Sequence, residues 1–133
     1  MIQYEPIEKW YLAGIINLCK AEAWTSYTEN QETTWRVLTA PGVYTVVAIE
    51  GKQVVGFIQM QSDGIIQAHI SLILVAKDCR RKGIGHRLVE EAFARCGGKR
   101  VDAITDDADN FYRSFAHKEW FGFRIHPQYC RDN

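Results

Sequence analysis

The chain has 133 residues, enough for one closed hydrophobic core and too few for two, so it reads as a single domain over residues 1–133. Sixteen basic and sixteen acidic side chains cancel, so no global field draws in a nucleic acid or an anionic membrane. The one dense basic cluster is local, Arg80, Arg81 and Lys82 with Arg87 beyond them, and such a cluster suits a small polyanion better than a duplex.

The first residues, "IQYEPI", read as extended. Charges at Glu5, Glu8 and Lys9 fall where a leader peptide needs an apolar centre, and no later run approaches a membrane span, so a cytoplasmic location is expected. Residues 10–23 carry a helical stripe of Leu12, Ile15, Ile16 and Cys19, and a second helix over residues 32–38 stops at Ala40-Pro41-Gly42. The period then changes from helical to alternating. "VYTVVAIE", "QVVGFIQMQ" and "IIQAHISLILV" are β-branched runs separated by the turns "EGK" and "SDG", which predicts an antiparallel meander.

From Gly83 the helical period returns with Ile84, Leu88, Val89, Ala92 and Phe93 on one face, and Gly97-Gly98 close it. A strand "RVDAIT" follows, then a short helix through "ADNFYRSF" with Asp106 or Asp107 as N-cap. The unit from "ISLILV" through the helix to "RVDAIT" is a right-handed crossover, so its two strands are parallel. A last strand is expected over residues 120–125. The predicted fold is α/β: a mixed, mostly antiparallel sheet with one parallel βαβ crossover, flanked by helices.

Cys19, Cys79, Cys96 and Cys130 have no C-x-x-C spacing and no His at zinc-finger distance, which predicts reduced thiols and neither a zinc site nor a disulfide framework. Asp106, Asp107 and Asp109 are explained by helix capping and a first-turn acidic bias, so no metal is assigned.

The stretch "VAKDCRRKGIG" places three cations and a Gly-x-Gly at the start of the crossover helix. Free N–H groups and the positive end of a helix dipole favour a phosphate there, and Gly83 and Gly85 let it approach the backbone. An isolated Gly-x-Gly more often only starts a helix. The three cations in the same turn favour phosphate. A Walker loop is excluded, since no Gly-Lys-Ser/Thr follows, and a Rossmann dinucleotide site lacks its third Gly because position 88 is Leu.

These residues resemble the acetyl-CoA signature of the GCN5-related N-acetyltransferases (GNAT), in which a Val-ending strand leads into Arg/Gln-x-x-Gly-x-Gly/Ala and a helix. Val75 stands at the strand end, and Arg80, Gly83 and Gly85 match the signature; "ADNFYRSF" resembles the family's later helix, with Tyr112 in place of its usual Tyr. The order of elements is similar over nearly the whole chain. Thr105 stands where the family often has Asn, and Gly122-Phe123 comes later than its usual Gly-Phe.

The resemblance implies an acyl-CoA N-acyltransferase fold and transfer of an acetyl group from acetyl-CoA to an amine. It implies that Arg80, Arg81, Lys82, Gly83, Ile84 and Gly85 hold the pyrophosphate, that pantetheine adds to the open edge of the third meander strand, and that a backbone N–H at Leu74 or Val75 stabilises the oxyanion. Tyr112 is the candidate acid for the leaving thiolate. The family's frequent Glu on the central strand is absent. Alternation sets Gln67, His69 and Ser71 on one face of the third strand, opposite Ala68, Ile70, Leu72 and Leu74, and Gln59 shares a face with Gln61 on the second. That polar column is either an ordinary polar sheet face or an acceptor pocket with His69 as base, Gln59 and Ser71 as substrate contacts, and Trp24, Ser26 and Tyr27 covering it.

The expected function is therefore an acetyl-CoA-dependent N-acetyltransferase acting on a small-molecule amine, as a monomer or homodimer, with no nucleic-acid or membrane partner. Two other classes stay open: an acyl-CoA-binding sensor without catalysis, and a nucleotide-binding domain that shares only the Gly-rich turn.

Overall fold

Val, Ile and Thr are dense between residues 43 and 75, and that stretch forms three antiparallel strands, β2 (Val43–Glu50), β3 (Gln53–Ser62) and β4 (Gln67–Val75). β1 (Ile2–Pro6) adds antiparallel to β2, and β5 (Arg100–Asp102) adds parallel to β4, giving one sheet in the order β1-β2-β3-β4-β5. The computed structural model describes residues 1–24 and 29–127, and the chain divides into two units, Met1–Asp102 and Ala103–Asn133.

On one face of the sheet lie α1 (Leu12–Ala21), which follows a 3-10 turn at Lys9–Tyr11, and α2 (Gln31–Leu38). Leu12, Ile15, Ile16 and Cys19 of α1 are buried against Phe57 and Leu74 of the sheet. Each buried Leu or Ile contributes about 2 kcal/mol, which stabilises a ten-residue helix that would be marginal alone. Burial pushes the Cys19 thiol up to about 11, so it stays protonated and unreactive.

The opposite face carries α3 (Ile84–Cys96), whose Ile84, Leu88, Val89, Ala92 and Cys96 are buried over β2, β3 and β4. Gly56 belongs to this face, since a Cβ there would lie 3.0 Å from the Leu74 carbonyl and 3.4 Å from Leu88. Gly97 ends α3 in the left-handed region, φ 75°, where an added Cβ would lie 2.6 Å from the Gly64 carbonyl.

β4 holds an irregularity that positions everything else. Gln59 pairs with Leu72 and the next residue, Met60, pairs with Ile70, so Ser71 is an extra residue, a β-bulge. The bulge exchanges the faces of the strand: Ala68 approaches Gly98 beside the end of α3, whereas Leu72 and Leu74 join the core under α1 and α2. The expected alternation, which set Ala68, Ile70, Leu72 and Leu74 on one face, is corrected on this point.

In the unit Ala103–Asn133, α4 (Asp109–Arg113) starts later than expected. Ala108 rather than Asp106 or Asp107 occupies the N-cap and no side chain caps the helix; the Ala108 N–H donates to Thr105 Oγ1 at 2.8 Å, which closes the turn before it. Phe111 meets Tyr112 and Phe115 edge to face, and Arg113 pairs with Glu119. The strand expected over residues 120–125 does not form. Phe121, Phe123 and Ile125 alternate as strand residues do, yet all three are exposed and no described strand pairs with them. β5 likewise stops at Asp102, short of the expected "RVDAIT", where its pairing with β4 ends. No described helix is long and apolar enough to cross a membrane.

Candidate active site

β4 and β5 part early. Their parallel pairing covers only Gln67, Ala68 and His69 on β4, while β4 runs on to Val75 with β3 as its one strand partner among the described residues. Ala76 N–H donates to Val55 O at 2.8 Å, so alternation turns the N–H and C=O of Val75 toward the other, open edge. The Val75 carbonyl accepts a 3.0 Å bond from Arg80 Nε. The Val75 N–H remains on that edge, and the Leu74 side chain is core beneath α1.

The open edge leads directly to the Gly-rich turn. Arg81 sits in the left-handed region at φ 65°, a strained position for a residue with a Cβ, and Gly83 at φ 81°. Gly83 is the N-cap of α3 and no side chain caps the helix; Arg87 N–H makes the first helical bond back to Gly83 O, so the N–H groups of Ile84 and Gly85 have no helical acceptor. A Cβ on Gly83 would meet nothing within 4 Å, so the space above the turn is open. Arg81 and Lys82 are exposed. Arg80 instead reaches back to Glu22 at the end of α1, Nη2 to Oε1 at 3.0 Å.

At the other end of β4 the polar column opens into a groove of about 530 Å³ lined in part by Gly42, Gln61, Asp63, Gln67 and His69. His69 pairs with Gln61 across the strands. Two residues inward on β3, Gln59 is buried and donates from Nε2 to the Val37 carbonyl at the end of α2, 3.3 Å away, beside Thr45 Oγ1, which donates to Leu38 O at 2.7 Å. Gln59 Oε1 and Ser71 Oγ are buried without a hydrogen-bond partner among the described residues.

Trp24 packs against the core beneath α1 and α2, and Ser26 and Tyr27 lie outside the described residues. Tyr112 is half-buried in its own unit, and burial raises its phenol above the ordinary value, so it stays protonated at neutral pH and able to donate. No group of three or more His, Cys, Asp or Glu able to hold a metal occurs among the described residues.

A family model for the acetyltransferase (GNAT) domain matches residues 11–132. The chain belongs to the GNAT family. Among solved structures, this GNAT domain is similar to a Deinococcus radiodurans R1 protein provisionally assigned as an acetyltransferase, with 28% identity over 94% of this chain and 87% of that one, TM-score 0.73. It is also similar to a transcriptional regulator from Bacillus halodurans C-125, 19% identical over 95% and 99% of the two chains, TM-score 0.77. A third likeness is to the aminoglycoside N-acetyltransferase AAC(6')-Iy in complex with CoA, 14% identical over 95% of each chain, TM-score 0.72. No curated protein matches the chain.

Within the GNAT domain, two features of the site lie beyond what residue-by-residue reading reaches. Glu22 holds Arg80 from 58 residues away, with no local signal to pair them. The bulge at Ser71 follows no Gly or Pro and is visible only as a register shift.

Proposed function

We propose that this GNAT domain transfers the acetyl group of acetyl-CoA to an amine of a small-molecule acceptor. The observation that carries this reading is the continuity of the open β4 edge with the uncapped start of α3. The first offers main-chain groups to an extended amide-bearing arm, and the second offers N–H groups to the diphosphate at its end. The CoA complex of the similar AAC(6')-Iy supports it.

On this reading Arg81 and Lys82 add charge around the diphosphate, the N–H groups of Ile84 and Gly85 bind it, and Arg80 is drawn in from Glu22. The outward N–H of Val75 is the oxyanion donor; Leu74 contributes its backbone to the strand and its side chain to the core. The acceptor amine enters by the groove at Gln61 and His69, and His69 takes its proton directly or through water. Gln59, Ser71 and Trp24 bound the acceptor site, with Tyr27 in the loop beyond. Tyr112 protonates the leaving thiolate; the thiolate needs only a weak acid, since its parent thiol has a pKa of about 8.5. The neutral net charge and the uncharged inner end of the polar column favour a small metabolite over a polyanionic or strongly charged acceptor.

The test compares acetyl-CoA, CoA and NAD at equal concentration by thermal shift. A saturable rise with acetyl-CoA and CoA is expected, because a ligand of the native state raises apparent stability. A rise with NAD alone overturns the reading. Tyr112→Phe should bind acetyl-CoA normally and lower kcat by about 10²-fold or more. Full turnover in that variant removes Tyr112 from the role of acid.

A further inference from the structure

Residues 120–125 hold four large apolar side chains in open solvent: Trp120 is 77% exposed, Phe121 98%, Phe123 80% and Ile125 73%. No main-chain N–H or C=O of these residues makes a hydrogen bond among the described residues. Ile104, itself 51% exposed, lies against Gly122 and widens the patch, and the Lys118 ammonium sits over the Trp120 ring at 4.7 Å. Aromatic side chains contribute about 150–250 Å² each, so the patch amounts to about 600 Å². That is the top of the range for a monomer, about 300–600 Å², and such patches mark surfaces where something docks.

The order of the residues identifies the occupant. In an extended strand Phe121, Phe123 and Ile125 fall on one face. Laid antiparallel on a second copy of itself about Phe123, the segment sets Phe123 against Phe123 and Phe121 against Ile125 on both sides of the axis, an unbroken apolar ladder. On the other face Arg124 meets Gly122 and Trp120 meets His126, so no like charges are opposed. Every neighbouring arrangement is worse. A slip of one residue sets a Phe against Arg124, and a slip of two sets Ile125 against Glu119 or Arg124 against itself. Parallel pairing in register also opposes the two Arg124 side chains.

A surface that fits itself under a two-fold rotation is what an isologous interface requires. The area agrees with this. About 600 Å² from each copy makes about 1,200 Å² before the paired main chain is added, the lower limit for a specific, stable interface.

We propose that residues 120–125 of two copies of this chain pair edge to edge as antiparallel strands centred on Phe123, making the protein a two-fold dimer. The strand that the alternation predicts then forms between chains, and the second copy supplies both the main-chain partners and the apolar cover that the single chain lacks.

Sedimentation velocity on the full chain is expected to show a dimer at micromolar concentration. Phe123→Lys should weaken self-association at least about 100-fold, because each copy loses its central anchor and two ammonium groups meet at the axis. Circular dichroism should show that variant folded, since the side chain it replaces is exposed in the single chain. Register is read by disulfide trapping in a Cys79→Ser, Cys130→Ser background, whose remaining thiols, Cys19 and Cys96, are buried. Phe123→Cys should cross-link to itself, because directly opposed residues have Cα atoms about 4.5–5.5 Å apart. Phe121→Cys should not, because its mate lies four residues along the pair, about 14 Å away. Phe121→Cys mixed with Ile125→Cys should cross-link.

A wild type that stays monomeric up to millimolar concentration, a dimer that survives Phe123→Lys, or a Phe121→Cys chain that cross-links more readily than Phe123→Cys overturns the proposal. So does slow hydrogen exchange of the residue 120–125 amides in a monomeric Phe123→Lys variant, which would mean that the segment finds its partner within its own chain.

Discussion

Arg80 is held by two oxygens at once, the Val75 carbonyl through Nε and the Glu22 carboxylate through Nη2, each at 3.0 Å. The ion pair is 44% and 34% exposed at its two side chains, so its net contribution is at most about 1 kcal/mol. That is weak enough for a diphosphate to displace Glu22, and strong enough to oppose the displacement. Glu22→Gln should therefore tighten acetyl-CoA and CoA binding by up to about fivefold, the equivalent of about 1 kcal/mol, with stability nearly unchanged. Calorimetric titration checks this; weaker binding would mean that Glu22 orients Arg80 for the ligand instead of competing with it. At this scale the sequence makes the glycine turn at Gly83 and the start of α3 legible, because backbone conformation at a glycine is local. Glu22 is not legible, because its role depends on where α1 ends in space.

The end of α1 has its own anomaly. Trp24 N–H donates to Cys19 O at 2.9 Å and Ala23 N–H to Lys20 O at 3.1 Å, the pair of bonds of a Schellman cap, yet the left-handed residue between them is Ala23 at φ 59°. Alanine is strained there by about 1 kcal/mol, so Ala23→Gly should stabilise the protein by about that amount and raise Tm by about 3–5 °C. A denaturant or thermal melt decides it, and a lower Tm would show that Ala23 makes a contact that outweighs its strain. Elements of regular pattern were readable in advance: the stripe of α1, the meander, and the Gly97 stop of α3. The bulge in β4 was not, since polar and apolar residues alternate from Gln67 through Leu72, straight across the bulge, and only pairing with β3 reveals the extra residue. The strand expected over residues 120–125 failed for a different reason: Phe121, Phe123 and Ile125 alternate as strand residues do, but no described strand pairs with them, and a pattern without a partner does not make a strand.

The sheet unit as a whole is asymmetric in its hydrogen bonding. β4 is paired by β3 from Ala68 to Val75, the bulged Ser71 apart, and over only three residues by β5. The outward amide of Val75 should exchange with solvent faster than the β3-paired amides of the same strand, and acetyl-CoA or CoA should slow it at least tenfold. Hydrogen exchange resolved to single amides measures this, and an unchanged Val75 amide at saturating ligand would place the bound arm elsewhere. The general architecture was legible because topology rules limit how a meander and one crossover can connect. The point at which β4 and β5 part was not, since it depends on how far Arg100–Asp102 follows β4 before turning away.

That parting has a consequence for the protein apart from catalysis. Residues 70–75, "ISLILV", contain no charge, no Pro and no Gly, the devices by which edge strands are usually kept from pairing with strands of other chains. The edge proposed to receive the acyl donor is also a template for self-association, and an occupant of that slot would act as a cap on it. Preparations stripped of donor should then lose monodispersity first, and the supply of acyl-CoA would govern how long the chain persists as well as how fast it turns over.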